Sequence, residues 1–328
     1  MRIVFMGTPE FAVPSLRALV EAGHEIAGVI TQPDRPAGRG HKLTACPVKL
    51  LAQSLGLEVF QFERLRRPEG VACLKALAPD VVVTAAFGQI LTQELLDIPR
   101  YGTVNVHASL LPAHRGSAPI NWCILMGDRT AGVTTMLTDV GLDTGDMLLK
   151  AETEIGEMET AGELTQRLSE MGAALLIKTL ARYPFGDLKP EAQNEAQASY
   201  EPMLSREAAR IDWTMPAAEI ARRVRAFNPW PCAWTEGPGG RMKVYLARAA
   251  VAEGEAPCGS VVAADPKRGL MIACGAGWLE VLEMQMPGAK KMNARDFMSG
   301  FDHRAQRRHG EFRRTHKYDA HQASSSSF

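Results

Sequence analysis

Residues 80–86, Asp80-Val81-Val82-Val83-Thr84-Ala85-Ala86, form an apolar run rich in β-branched side chains. A strand with one wet face alternates polar and apolar residues. This run does not, so it predicts a central strand buried on both faces of a parallel sheet. Parallel strands need long crossovers, and the flanking sequence supplies them. Short apolar runs at 3–6, 25–30, 57–60, 103–107, 132–139 and 146–152 read as further strands. Between them, 11–22, 48–55, 70–77, 118–126 and 161–180 carry helical spacing. Pro14 is tolerated only near a first turn, and Gly23 and Gly56 close their helices. The alternation predicts an open, mostly parallel, Rossmann-like α/β sheet. Ligands of such sheets sit beyond the carboxyl ends of the strands. That rule selects the loops after Met6, Ile30, Val106 and Asp139.

The pattern changes near residue 184. Pro190, Gln193, Asn194, Gln197 and Ser199 occur there with few large apolar residues. We read 1–183 as one domain and 184–206 as a linker. Residues 207–228 read as largely helical. Short runs at 243–249, 259–264, 269–274 and 279–283, broken by Gly and Pro, suit a small β-barrel within a second domain, 207–310. The tail, 311–328, ends in a serine run and is expected to be disordered.

Composition removes several classes. The 37 basic and 37 acidic residues cancel, so any attraction to nucleic acid must be local. The six cysteines form no CxxC pair and match no zinc spacing, which reads as reduced thiols in a cytoplasmic protein. No run of about 18 uncharged apolar residues predicts a membrane span, and the apolar start is too short and poorly flanked for a signal peptide. Gly7-Thr8-Pro9-Glu10 follows the first strand with one glycine where a dinucleotide fold would place three, which argues against a nicotinamide or flavin site.

The most informative segment is Asn105-Val106-His107-Ala108-Ser109-Leu110-Leu111-Pro112. Residues two apart in a strand share a face, so Asn105 and His107 can address one reacting atom. An amide donor stabilises developing negative charge on oxygen, and an imidazole moves protons near neutral pH. The pair suits acyl transfer, although polar residues at strand ends are commonly structural. A second segment, Asp139-Val140-Gly141-Leu142-Asp143-Thr144-Gly145-Asp146, departs from the EF-hand pattern. It reads either as an Asx-rich turn or as the source of a carboxylate that orients the imidazole. A third, residues 31–42, is long, basic and flexible. It reads as a solvated loop or as a contact for a phosphate backbone. The fourth, Phe227-Asn228-Pro229-Trp230-Pro231, reads as a rigid packed turn.

In their order along the chain, Gly7-Thr8-Pro9 and these four segments resemble the methionyl-tRNA formyltransferase family of folate-dependent formyltransferases. The resemblance runs from Met1 to about Arg308. The chain after about Gly310 has no counterpart. The resemblance implies a formyltransferase domain followed by an OB-like barrel that contacts tRNA. It also implies 10-formyltetrahydrofolate as co-substrate and initiator methionyl-tRNA as acceptor; a monomer is expected. It places the folate against Ser109, Leu110, Leu111 and Pro112, and tRNA against Arg35, Arg39 and Lys42.

The expected mechanism has Asn105 donating to the oxyanion and His107 carrying a proton from the attacking amine to the departing folate nitrogen. Asp143, rather than Asp139, pairs with His107 or holds a relaying water. No metal is expected. Two other readings remain open. One is a formyltransferase for a small amine such as a purine precursor or amino sugar. The other is a non-catalytic RNA-binding protein on the same fold.

Overall fold

The computed structural model describes residues 1–37, 42–237 and 239–305. The amino-terminal half is a seven-stranded sheet. Its order is Val59–Gln61, Glu25–Thr31, Arg2–Gly7, Val81–Ala85, Thr103–His107, Thr130–Leu137, Met147–Glu154. The first five strands are parallel, and Thr130–Leu137 is antiparallel to both neighbours. Val81, Val82 and Val83 have no exposed surface, as their run requires.

Successive residues of these strands feed opposite faces. Ile3, Phe5, Val81 and Val83 pack in one cluster with residues from the helices Val13–Glu21, Pro47–Ser54 and Ala161–Leu180. Val4, Met6 and Val82 pack in another with Leu74 and Leu95, from Pro68–Leu77 and Gln93–Leu96.

The chain moves outward from Arg2–Gly7 through Glu25–Thr31 to Val59–Gln61, then crosses back to Val81–Ala85. The order therefore reverses between Arg2–Gly7 and Val81–Ala85, where a doubly wound sheet opens its crevice. Gly7 fits this place because a Cβ there would lie 2.8 Å from Ala12 Cβ and 2.9 Å from the Ala85 carbonyl oxygen.

The carboxyl-terminal half holds an antiparallel sheet in the order Ala233–Gly237, Gly240–Ala250, Trp278–Gln285, Gly269–Ala273, Val261–Asp265. The helix Ala217–Ala226 packs on it. Among the described residues no pairing joins Ala233–Gly237 to Val261–Asp265, so the sheet is OB-like without closing into a barrel.

Three expectations are corrected. The helix expected over 207–228 is confined to Ala217–Ala226. Before it, Asp212 accepts from the backbone amide and hydroxyl of Thr214, which forms a turn, and Trp213 Nε1 donates to Thr235 Oγ1. The strand Ala233–Gly237 was not expected. The basic loop is not free throughout, because Arg35–Ala37 pairs antiparallel with Lys42–Thr44. Arg39 and His41 lie outside the described residues, as do the end of the second domain (306–310) and the tail (311–328).

Candidate active site

A cavity of about 650 Å³ opens beyond the carboxyl ends of Val81–Ala85 and Thr103–His107, beside the sheet reversal. Its floor includes Thr84, Asn105 and His107, its walls the loops at 86–91 and 138–143, and its far side residues 116–121 with Thr165. The amino-terminal motifs back one wall from behind. Thr8 Oγ1 accepts from the Gln32 backbone amide at 3.2 Å. The Gln32 side-chain amide donates to the carbonyls of Phe87 and Gly88, at 3.2 Å each. Gly7-Thr8-Pro9 and Thr31-Gln32-Pro33 thus hold the 86–91 loop.

Asn105 and His107 both face the cavity, as their two-residue spacing requires. The register pairs Thr84 with Asn105, and Thr84 Oγ1 donates to Asn105 Oδ1 at 2.9 Å. With its oxygen engaged, the Asn105 amide presents its Nδ2 hydrogens to a ligand. His107 is buried. Its Nε2 meets the His114 carbonyl at 3.0 Å. A carbonyl only accepts, so Nε2 carries the hydrogen and Nδ1 is the nitrogen left to exchange a proton. Nδ1 lies 3.7 Å from Asp143 Oδ1, beyond hydrogen-bond length and within ion-pair range.

Asp143 adopts φ +56°, a left-handed conformation that Asp tolerates better than most residues. Its Oδ2 accepts from the Gly116 amide at 2.8 Å, which turns Oδ1 towards His107. Asp139 serves the turn instead. Its Oδ1 accepts from the Gly141 amide at 3.0 Å, and both its oxygens lie 2.8 Å from Thr144 Oγ1. Gly145 closes the loop because a Cβ there would overlap the Leu137 carbonyl oxygen. No group of three His, Cys, Asp or Glu side chains converges as metal ligands among the described residues.

The structure therefore brings Asn105, His107 and Asp143 together. It does not bring Ser109, Leu110, Leu111 and Pro112 onto the same wall. Ser109 Oγ is spent on the Ala113 carbonyl at 2.6 Å, and the Leu111 amide donates to Thr134 Oγ1 at 3.1 Å. Leu111 packs with Met136 and Met147, while Ser109 and Leu110 line a separate hollow of about 280 Å³. Arg35 is exposed and pairs with Glu63 at 2.8 Å. The base of its hairpin is pinned by Asp34, whose carboxylate meets Lys49 Nζ at 2.7 Å and Gln61 Nε2 at 3.0 Å. Lys49, then Gln61, hold the Asp34 carboxyl below the usual carboxylate range.

Sequence reasoning missed Thr84 and the interdomain segment. The segment expected as a linker lies along the site: Glu191 pairs with Met147, and Tyr200–Glu201 pairs in parallel with Arg115–Gly116. Arg115 has no exposed surface and is held by Glu195, Gln193 and Tyr200. His114 Nδ1 meets Glu201 and Nε2 meets Asp128, both at 2.8 Å. A basic residue followed directly by glycine at the site was the available signal, but its partners are some 80 residues away in sequence.

Two family models match the chain: formyl transferase over residues 1–180, and formyl transferase, C-terminal domain, over residues 203–302. The chain belongs to the formyl transferase family. Within the family it is 48% identical over 301 residues to a protein of Citrifermentans bemidjiense named methionyl-tRNA formyltransferase, covering 92% of this chain and 94% of that one. A protein of the same name from Solibacter usitatus is 50% identical over 300 residues, covering 92% and 96%. Among solved structures, WlaRD, a sugar 3N-formyl transferase, matches with a TM-score of 0.62 at 18% identity, over 89% of this chain and 98% of that one. HypX from Aquifex aeolicus in complex with tetrahydrofolic acid matches with a TM-score of 0.62 at 19% identity, over 92% of this chain and 47% of that one. At these identities the two structures share the formyl transferase fold with this chain.

Proposed function

We propose that this chain transfers a formyl group from 10-formyltetrahydrofolate to the α-amino group of methionine on initiator methionyl-tRNA. The observation that carries the chemistry is the convergence of Asn105, His107 and Asp143 on one cavity. The substrates follow from the relatives, whose shared name spans nearly the whole chain.

The cavity suits a flat, partly apolar donor. Ile90, Val140 and Leu142 line it and are 72%, 64% and 60% exposed, so apolar surface stands open for a ring system to cover. Among the described residues no helix is long and apolar enough to cross a membrane.

The amine attacks the formyl carbon, and the carbonyl oxygen takes the negative charge. Asn105 Nδ2 donates to that oxygen, and its bond to Thr84 means that no reorganisation is needed as the charge appears. His107 Nδ1 takes the proton from the nitrogen that has attacked. It returns the proton to the folate nitrogen as the old carbon–nitrogen bond breaks. Asp143 stabilises the imidazolium between these steps. The turn of Ser109, Leu110, Leu111 and Pro112 supports the strand end behind His107. Arg35, Arg39 and Lys42 belong to the segment that leaves the cavity wall through Gln32, and they meet the phosphates of the acceptor.

The test is transfer of radiolabelled formyl from 10-formyltetrahydrofolate to methionyl initiator tRNA, run beside glycinamide ribonucleotide and an amino sugar. Formylation of the tRNA alone is expected. Efficient formylation of either small amine without the tRNA overturns the reading.

A further inference from the structure

We propose that Gln193, in the segment joining the two halves, is a positioning residue of the active site that holds Asp143 in register with His107. The inference rests on the reading of Asp143 as the partner of His107.

Gln193 spends its whole amide on this task. Its Nε2 donates to the Asp143 carbonyl at 2.7 Å and the Gly145 carbonyl at 2.8 Å. Its Oε1 accepts from Arg115 Nε at 3.0 Å. Arg115 is in turn fixed by Glu195, at 3.0 Å from Nη1 and 2.7 Å from Nη2, and by the Tyr200 hydroxyl at 2.5 Å. Arg115 has no exposed surface, so its guanidinium takes its partners from the protein.

The backbone of the same strand completes the grip. Gly116, next to Arg115, donates its amide to Asp143 Oδ2 at 2.8 Å. Asp143 is thus held at both ends: its carboxylate by the Gly116 amide, its carbonyl by Gln193. Its left-handed φ of +56° is a conformation the backbone leaves readily unless its surroundings impose it. Two amide hydrogens on the carbonyls flanking residue 144 supply that constraint. The Asp143–His107 separation of 3.7 Å is sensitive to any slippage of the loop, because electrostatic and proton-transfer geometry degrades within about an ångström.

Gln193→Leu removes the donors and the acceptor at similar volume. Gln193→Glu keeps the shape and the contact to Arg115, but turns oxygen towards two carbonyls. Each variant is expected to lose about 10- to 100-fold in kcat with little change in folate KM. The carboxyl that Gln193→Glu introduces can donate again once it is protonated. The ratio of Gln193→Glu to Gln193→Leu activity should therefore rise as pH falls; a residue that only packs gives no such trend. Combined with Asp143→Asn, Gln193→Leu should add little further loss, since both act on one interaction.

The inference is overturned if folded Gln193→Leu keeps kcat within about two-fold of the parent, a change too small for a lost positioning contact. It is also overturned if the loss lies in KM alone, if the activity ratio is flat with pH, or if the losses with Asp143→Asn are additive. If Asp143→Asn keeps full turnover, the assignment of Asp143 falls and this inference falls with it. If Asp143→Asn is crippled and the Gln193 variants are normal, only this inference falls.

Discussion

Thr84 Oγ1 and Asn105 Oδ1 lie 2.9 Å apart on neighbouring strands, so one face of the Asn105 amide is occupied before any ligand arrives. The relationship explains why a polar residue stands in an otherwise apolar central strand: Thr84 is buried and spends its hydroxyl on Asn105, the proposed oxyanion donor.

Loss of the donor should be expensive and loss of its holder moderate. Asn105→Ala should lower kcat by about 10²–10³, the usual effect of removing one oxyanion donor. Thr84→Val keeps the shape and loses about 1 kcal/mol of hydrogen bonding, roughly five-fold in rate. His107→Ala should cost about 10²–10⁴. Single-turnover rates with saturating folate measure all three. A His107→Ala rate near the parent's would remove that residue from proton transfer.

Truncation within the interdomain segment should destabilise the amino-terminal half. A chain ending at residue 183 loses Gln193, Glu195, Ser199 and Glu201, and with them the partners of Arg115 and the segment that covers it. Arg115 then faces water, and the pairings that tie the segment to the sheet, Glu191 with Met147 and Tyr200–Glu201 with Arg115–Gly116, are lost. A chain ending at residue 202 retains these partners. The shorter chain should therefore unfold at markedly lower urea concentration than the longer one. Equal midpoints would show that the segment is an ordinary tether.

These contrasts show what was legible in the sequence. Strand periodicity placed Asn105 and His107 on one face, and the apolar run at 81–83 marked the middle of the sheet. Register between strands is not written in either strand, so the Thr84–Asn105 pairing was hidden. The interdomain segment reads as a tether because Gln193, Glu195 and Ser199 look like solvated residues. Their partners, Arg115 and His114, lie 78 to 85 positions earlier. The helix expected over 207–228 failed at its start for a local reason: Asp212 caps a turn, and Pro216 precedes the first helical residue.

The basic hairpin should act through charge. Arg35 is exposed, and its pair with Glu63 is open to solvent, so an RNA phosphate can displace Glu63 at small cost. Arg35→Ala and Arg39→Ala should each weaken tRNA binding and leave folate affinity unchanged. For single-stranded phosphate contacts, each should lower the slope of log K against log salt by roughly 0.7. Titrations between low and moderate salt decide it. Unchanged tRNA affinity in both variants would return the hairpin to a solvated connection.

Alkali should weaken the fold through a thiol outside the site. Cys123 is buried in the helix Pro119–Met126, and burial, then the Asp128 charge, push its pKa up to about 12. An unfolded thiol titrates near about 8.5. Between these values the unfolded chain gives up the proton and the folded chain keeps it. The stability associated with the neutral thiol is therefore complete below about 8.5 and declines as pH rises towards the folded pKa. At about pH 10 the loss relative to about pH 8 should be on the order of 1–2 kcal/mol. Cys123→Ala creates a small cavity and should be less stable than the parent at the lower pH. It lacks this titration, so its deficit should shrink at the higher pH. Urea unfolding of both proteins at the two pH values measures the difference. A deficit that stays constant or grows would show that Cys123 does not titrate on unfolding in this window.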